Sequence, residues 1–229
     1  MLLSPRGSAG SDAPDDYALV SYVHDLEALR EHLGAERLDL LGFSHGGIVA
    51  IAYAAAHPQR IRRLVLADTL AVWDTEAGEA MEQAIAARAD EPWFAEAQAA
   101  IAEEQAGEFA TTEQLVANVG KQIPLYFHRW EGNEQAGLEL AADFGRMEPL
   151  YYFNTVEFPS LDLRAELQRI GASTLVLVGE SDFIAGRVCA DAIVGDLADA
   201  QLAVLPEAGH FSYLENPEAF RAALLAFLR

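Results

Sequence analysis

The sequence predicts an open α/β fold: a mostly parallel sheet, incomplete at its N-terminal end, with a helical cap inserted between two of its strands. Three observations predict it. Short continuous apolar runs, of the kind found in strands covered on both faces, alternate with helical stretches. One of these runs ends in a glycine-flanked turn that opens directly onto a helix. Residues 71–163 carry helical spacing and no strand signal.

Each element follows from its residues. Across Tyr17–Leu33, the residues Leu19, Tyr22, Val23, Leu26, Leu29, Arg30 and Leu33 recur at helical spacing. Leu38–Phe43 is a short apolar strand. The stretch Gly46–Ala56 is rich in Ala, Ile and Val and stops at His57-Pro58, because a proline disfavours the helical region at the residue before it. Leu64–Ala67, Thr174–Val178 and Leu202–Leu205 are further strands. Between them lie helical segments near Glu76–Ala89, Pro92–Gln105, Thr112–Gln122 and Asn133–Phe144. With no repeat and no low-complexity linker, the expected division is a core of residues 1–70 and 164–229 and a cap of residues 71–163 packed on the sheet.

Composition narrows the function. The chain has 229 residues with 36 acidic and 15 basic side chains, a net charge of −21. Nucleic acids are held by Lys and Arg on phosphates, and an anionic membrane attracts the same groups, so neither is an expected partner. Cys189 is the one cysteine and has no partner for an intramolecular disulfide. No apolar run approaches the ~18 residues of a spanning helix. A cytoplasmic protein is expected.

The chemistry centres on Gly42-Phe43-Ser44-His45-Gly46. This G-x-S-x-G pattern places a serine on a sharp strand-to-helix turn, with the two glycines expected to relieve crowding. The helix start brings a positive dipole end near Ser44, and the His45 backbone N–H becomes one oxyanion donor. A serine hydroxyl needs a base, and the base needs an acid to orient it. In chain order, Gly179-Glu180-Ser181-Asp182 follows one strand and Gly209-His210-Phe211 follows another, at the carboxyl edge where open α/β sheets place their sites. Asp182 and His210 are therefore the expected acid and base. His24, His32, His57 and His128 read as surface or packing residues, and the His45 side chain points away from Ser44. Asp68, also at a strand end, is a minor contender for the acid, and Glu180 faces elsewhere. No group of residues has metal-ligand spacing and no dinucleotide or phosphate loop is present, so no metal and no cofactor is expected.

These residues resemble the α/β-hydrolase superfamily and, within it, the proline iminopeptidase type of serine peptidase. The resemblance covers nearly the whole chain. It rests on Arg6-Gly7-Ser8-Ala9-Gly10-Ser11, the Ser44 elbow, Gly179–Asp182, and Gly209–Phe211 followed by Glu215-Asn216-Pro217-Glu218. None of the four is specific to a substrate. In relatives the first loop follows several strands and a segment that supplies the second oxyanion donor. Here it begins at residue 6, so the first strands and the second donor are expected to be missing, through a truncated reading frame rather than a second chain that completes the sheet. A homo-oligomer stays open.

The resemblance implies that the cap sets specificity. Residues 71–165 hold 18 acidic and 5 basic side chains, a net of −13. Such a mouth favours a cationic group such as a peptide N-terminus, although acidic helices also serve solubility alone. Tyr151, Tyr152 and Glu157 are the candidates for substrate binding, and the later-cap aromatics Tyr126, Phe127, Trp130, Tyr151, Tyr152 and Phe153 are candidates to line an apolar pocket, although core packing is the commoner role of such residues. The expected function is a Ser-His-Asp hydrolase working through an acyl-enzyme, releasing N-terminal residues from peptides. The alternatives are a carboxylesterase or other acyl hydrolase, or a hydrolase-fold protein impaired by the missing oxyanion donor.

Overall fold

The computed structural model describes every residue except Ala9, Glu108 and 144–146. The centre of the Arg6–Ser11 loop and the last residue of the helix expected over Asn133–Phe144 thus lie outside the described residues. In chain order the elements are α1 (Leu19–His32), β1 (Leu38–Phe43), α2 (His45–Ala56), β2 (Ile61–Ala67), α3 (Thr75–Ala86), α4 (Phe94–Ala106), α5 (Thr112–Gln122), α6 (Glu134–Asp143), α7 (Met147–Tyr152), α8 (Arg164–Leu167), β3 (Ser173–Gly179), α9 (Arg187–Asp196), β4 (Ala200–Leu205), α10 (Ser212–Glu215) and α11 (Pro217–Leu228).

The four strands form one sheet in the order β1-β2-β3-β4, parallel throughout. Alternate side chains of the central strands feed two cores, as the period-2 geometry of a strand requires. Leu64, Leu66, Val176 and Val178 face α1, α2, α8 and α9. Val65, Ala67, Leu175 and Leu177 face α11, which lays Phe220, Leu224 and Phe227 against them. The outer strands depart from the expectation of full burial: Leu41 on β1 is 43% exposed and Val204 on β4 is 40% exposed. Each has a paired strand on one side only, so helices cover them less completely.

The C-terminal helix α11 is an element that apolar runs alone did not delimit. Its start is written in the signature after His210, because Asn216 accepts a hydrogen bond from Ala219 N at 3.1 Å and Pro217 opens the first turn. Between β2 and β3 the described residues form helices and connecting turns, and their one β contact is an isolated antiparallel bridge, Val72 with Asp162. Leu163 N donates to Ala71 O at 2.7 Å and Trp73 N to Leu161 O at 2.9 Å, so the entry and exit of this insertion are stitched together. One turn, Phe153–Glu157, is π-helical, a form concentrated at functional sites.

Candidate active site

Parallel pairing aligns the strand ends. Phe43 lies opposite Ala67 and Gly179 opposite Leu205, so Ser44, Asp68, Asp182 and His210 all emerge at one edge. Ser44 sits between β1 and α2 with φ 51° and ψ −125°, a conformation that side chains seldom adopt. Three bonds hold it there. Its N–H donates to Ala67 O at 3.0 Å, its carbonyl accepts from Gly47 N at 2.8 Å, and the same carbonyl accepts from Thr69 Oγ1 at 2.7 Å.

The glycines divide the work differently from the pentapeptide expectation. A Cβ on Gly42 would lie 2.4 Å from Gly46 O and 2.7 Å from Gly47 Cα, so this position has no room. A Cβ on Gly46 would meet nothing within 4 Å. Gly47 carries the second constraint, because its Cβ would come within 2.4–2.6 Å of the Thr69 side chain. The expectation for Gly46 is corrected accordingly.

The structure brings Ser44, His210 and Asp182 together. His210 Nε2 is 3.0 Å from Ser44 Oγ, and His210 Nδ1 is 2.9 Å from Asp182 Oδ2. The other carboxylate oxygen, Oδ1, accepts from Ile184 N and Ala185 N, each at 3.0 Å. Burial works against an imidazolium at His210, yet the charge and hydrogen bond of Asp182, with Asp68 behind them, leave its pKa above the ordinary histidine value. His45 opens α2, so its N–H has no acceptor within the helix. Its ring stands edge-on to Tyr22 at 5.1 Å and Phe153 at 5.0 Å, away from Ser44 Oγ, and burial lowers its pKa to about 4.

Asp68 joins this cluster without touching His210. Its Oδ1 accepts from Gly179 N at 2.8 Å and its Oδ2 from Ser212 Oγ, bracing the acid-bearing loop against the histidine-bearing one. Burial first, then the charge of Asp182, push its carboxyl up to about 7. Glu180 turns away and accepts from Glu207 N at 3.0 Å. His24, His32 and His128 are exposed, and His57 stacks at 4.9 Å on Tyr53.

Beside Ser44 lies a cavity of about 60 Å³, lined chiefly by Ile48, Leu70, Phe153, Phe158, Ile184 and Ala185 together with the His45, Asp68, Thr69 and His210 side of the site.

The sequence profile described as the alpha/beta hydrolase fold matches residues 1–217. The chain belongs to the α/β-hydrolase family. Among its relatives, this α/β hydrolase is 28% identical to the proline iminopeptidase of Levilactobacillus brevis, over 97% of this chain and 76% of that protein. A hydrolase from Pseudomonas aeruginosa superposes with a TM-score of 0.74 at 30% identity, covering 98% of this chain and 77% of that one. The enol-lactonase of Burkholderia xenovorans superposes with a TM-score of 0.74 at 25% identity, over 98% and 78% of the two chains.

In this α/β hydrolase the three weak candidates for substrate binding lie off the cavity beside Ser44. Tyr151 is 60% exposed, Tyr152 packs on Tyr17 with ring centres 6.5 Å apart, and the Glu157 carboxylate accepts from Leu19 N, capping α1. Phe153 and Phe158 reach the cavity instead. Four residues that sequence spacing did not single out also support the site: Thr69, Ser212, Ile184 and Ala185. Only Thr69 carried a signal, by following Asp68 at a strand end.

The Arg6 loop is structural in its contacts. Its guanidinium pairs with Asp25 through two bonds of 2.6 and 2.7 Å, and Gly7 takes φ +73° where a Cβ would strike the Tyr17 ring. Among the described residues no group of acidic, histidine and cysteine side chains is placed to hold a metal, and no helix is long and apolar enough to cross a membrane.

Proposed function

We propose that this α/β hydrolase is a serine acyl hydrolase in which Ser44 is the nucleophile, His210 the base and Asp182 the orienting acid. One observation carries the reading: the relay from Ser44 Oγ to His210 Nε2 at 3.0 Å and from His210 Nδ1 to Asp182 Oδ2 at 2.9 Å.

The steps follow from that geometry. As Ser44 Oγ bonds to the substrate carbonyl carbon, its proton passes to His210 Nε2, and the His45 N–H stabilises the oxyanion. The carbonyl re-forms, the bond to the leaving group breaks, and His210 returns the proton to that group. Water then attacks the acyl-Ser44 ester, giving its proton to His210, and Ser44 is regenerated with release of the acid. Asp182 holds the imidazolium formed in each half. No second oxyanion donor is assigned.

Two substrate readings stand. Small uncharged acyl esters are favoured by the apolar cavity, and the enol-lactonase likeness is in keeping with ester chemistry. Release of N-terminal proline from peptides is supported by the 28% identity to the L. brevis proline iminopeptidase. Residues 71–163 act as the cap in both, and the protein needs no cofactor, works in the cytoplasm and takes a small molecule or peptide.

A fluorophosphonate probe tests the chemistry. Labelling of the native chain, lost in Ser44→Ala, is the expected result; equal labelling of the two, or none in the native chain, would overturn the reading.

A further inference from the structure

The cavity beside Ser44 differs in kind from the charge of the insertion that surrounds it. Residues 71–165 carry a net charge of −13, yet the carboxylates of that segment are absent from the cavity lining. Phe153 and Phe158 form one wall, with ring centres 5.3 Å apart, and this wall is extended by Trp73 at 4.5 Å from Phe158. Ile48, Leu70, Ile184 and Ala185 supply the rest of the apolar lining.

Among the lining residues Asp68 is the one carboxyl, and its two oxygens are engaged by Gly179 N and Ser212 Oγ. An ammonium placed here would lose its hydration with no free carboxylate to replace it, an arrangement that disfavours the charged group. His45, close to the same wall, stays neutral across the physiological range because burial lowers its pKa to about 4. An apolar group suffers no such penalty.

Size sets the second limit. The cavity of about 60 Å³ is small beside the ~300–1,000 Å³ of clefts that take drug-sized ligands, so it suits a short group.

We infer that this cavity is an acyl pocket that selects short, uncharged acyl groups, with Phe153 and Ile184 among the side chains that bound it. The inference rests on the serine-hydrolase reading and adds the substrate class to it. Phe153 stands on the π-helical turn of the insertion and Ile184 on the loop that carries Asp182, so both segments contribute to the lining.

The test compares p-nitrophenyl acetate, butyrate and octanoate with L-prolyl-p-nitroanilide, alongside fluorophosphonate labelling of Ser44. The expected result is a kcat/KM for butyrate at least about ten-fold above those for octanoate and for the prolyl amide. Phe153→Ala and Ile184→Ala, each checked for folding by circular dichroism, should narrow the butyrate-to-octanoate ratio by about five-fold or more. If Phe153→Ala does not fold, Ile184→Ala decides from the other segment, and if neither folds the native profile decides. A native preference for octanoate or for the prolyl amide, or an unchanged ratio in the folded variants, would overturn the pocket while labelling of Ser44 upheld the chemistry. Absence of labelling would overturn both.

Discussion

The backbone N–H of His210 donates to the carbonyl oxygen of Tyr126 at 2.7 Å. This bond ties the candidate base to the helical insertion as well as to the loops at the strand ends. A Cβ on Gly209 would meet Tyr126 O at 2.4 Å and His128 N at 2.8 Å, so the two segments pass within backbone contact. Tyr126 itself stacks on Phe211 at 5.7 Å and stands edge-on to His210 at 5.6 Å. The insertion therefore contributes to the placement of the base as well as to the walls of the cavity.

Glu215 completes that junction. Its carboxylate accepts from Gly209 N at 2.7 Å, His128 N at 2.8 Å and Arg129 N at 3.4 Å. Glu215→Ala leaves these N–H groups without acceptors, which costs about 1–3 kcal/mol each where buried. The expected outcome is a lower Tm and a fall in kcat of about ten-fold or more with KM little changed. Glu215→Gln retains one carbonyl acceptor and should restore part of kcat. Steady-state kinetics on the three proteins check this; a loss confined to KM would sink the positioning role.

Asp68 couples stability to pH. Its folded pKa, about 7, lies above the ordinary carboxylate value, so between those two pH values the folded chain holds a proton that the unfolded chain has released. By linkage, this group's contribution to stability falls as pH rises through that window. Asp68→Asn retains an acceptor for Gly179 N and removes the titration. Its Tm relative to the native chain should therefore be higher at pH 8 than at pH 5. Removing the charge also takes away one influence that raises the His210 pKa, so the acid limb of the kcat/KM profile should move to lower pH. Paired melting curves and pH–rate profiles decide it, and an acid limb displaced upward would contradict the assignment.

The turn glycines give a three-way comparison. Gly46→Ala should change Tm little, since the added methyl meets nothing within 4 Å. Gly47→Ala pushes on Thr69, whose hydroxyl holds the Ser44 carbonyl, and should cost about 1–3 kcal/mol together with a loss of activity. Gly42→Ala collides with backbone and should be the most damaging. Urea denaturation of the three variants orders them, and equal effects at Gly46 and Gly47 would refute the division.

By itself the sequence determined the parallel α/β core, the strand-to-helix turn at Ser44 and the strand-end positions of Asp182 and His210, because local periodicity and strand-end position are written in consecutive residues. It also indicated the helical character of the insertion. What faces the cavity was decided only by the tertiary structure. The net charge of the insertion pointed to carboxylates such as Glu157, which the folded chain turns to the start of α1, and of the later aromatics Tyr126, Phe127, Trp130, Tyr151, Tyr152 and Phe153 only Phe153 lines the cavity, joined by Phe158. A charge count has no direction, and one π-helical turn at Phe153–Glu157 changes which side chains point inward in a way that regular helical spacing does not encode. Likewise Gly46 and Gly47 are indistinguishable as letters, and the side chain of Thr69, delivered by the neighbouring strand, is what separates them.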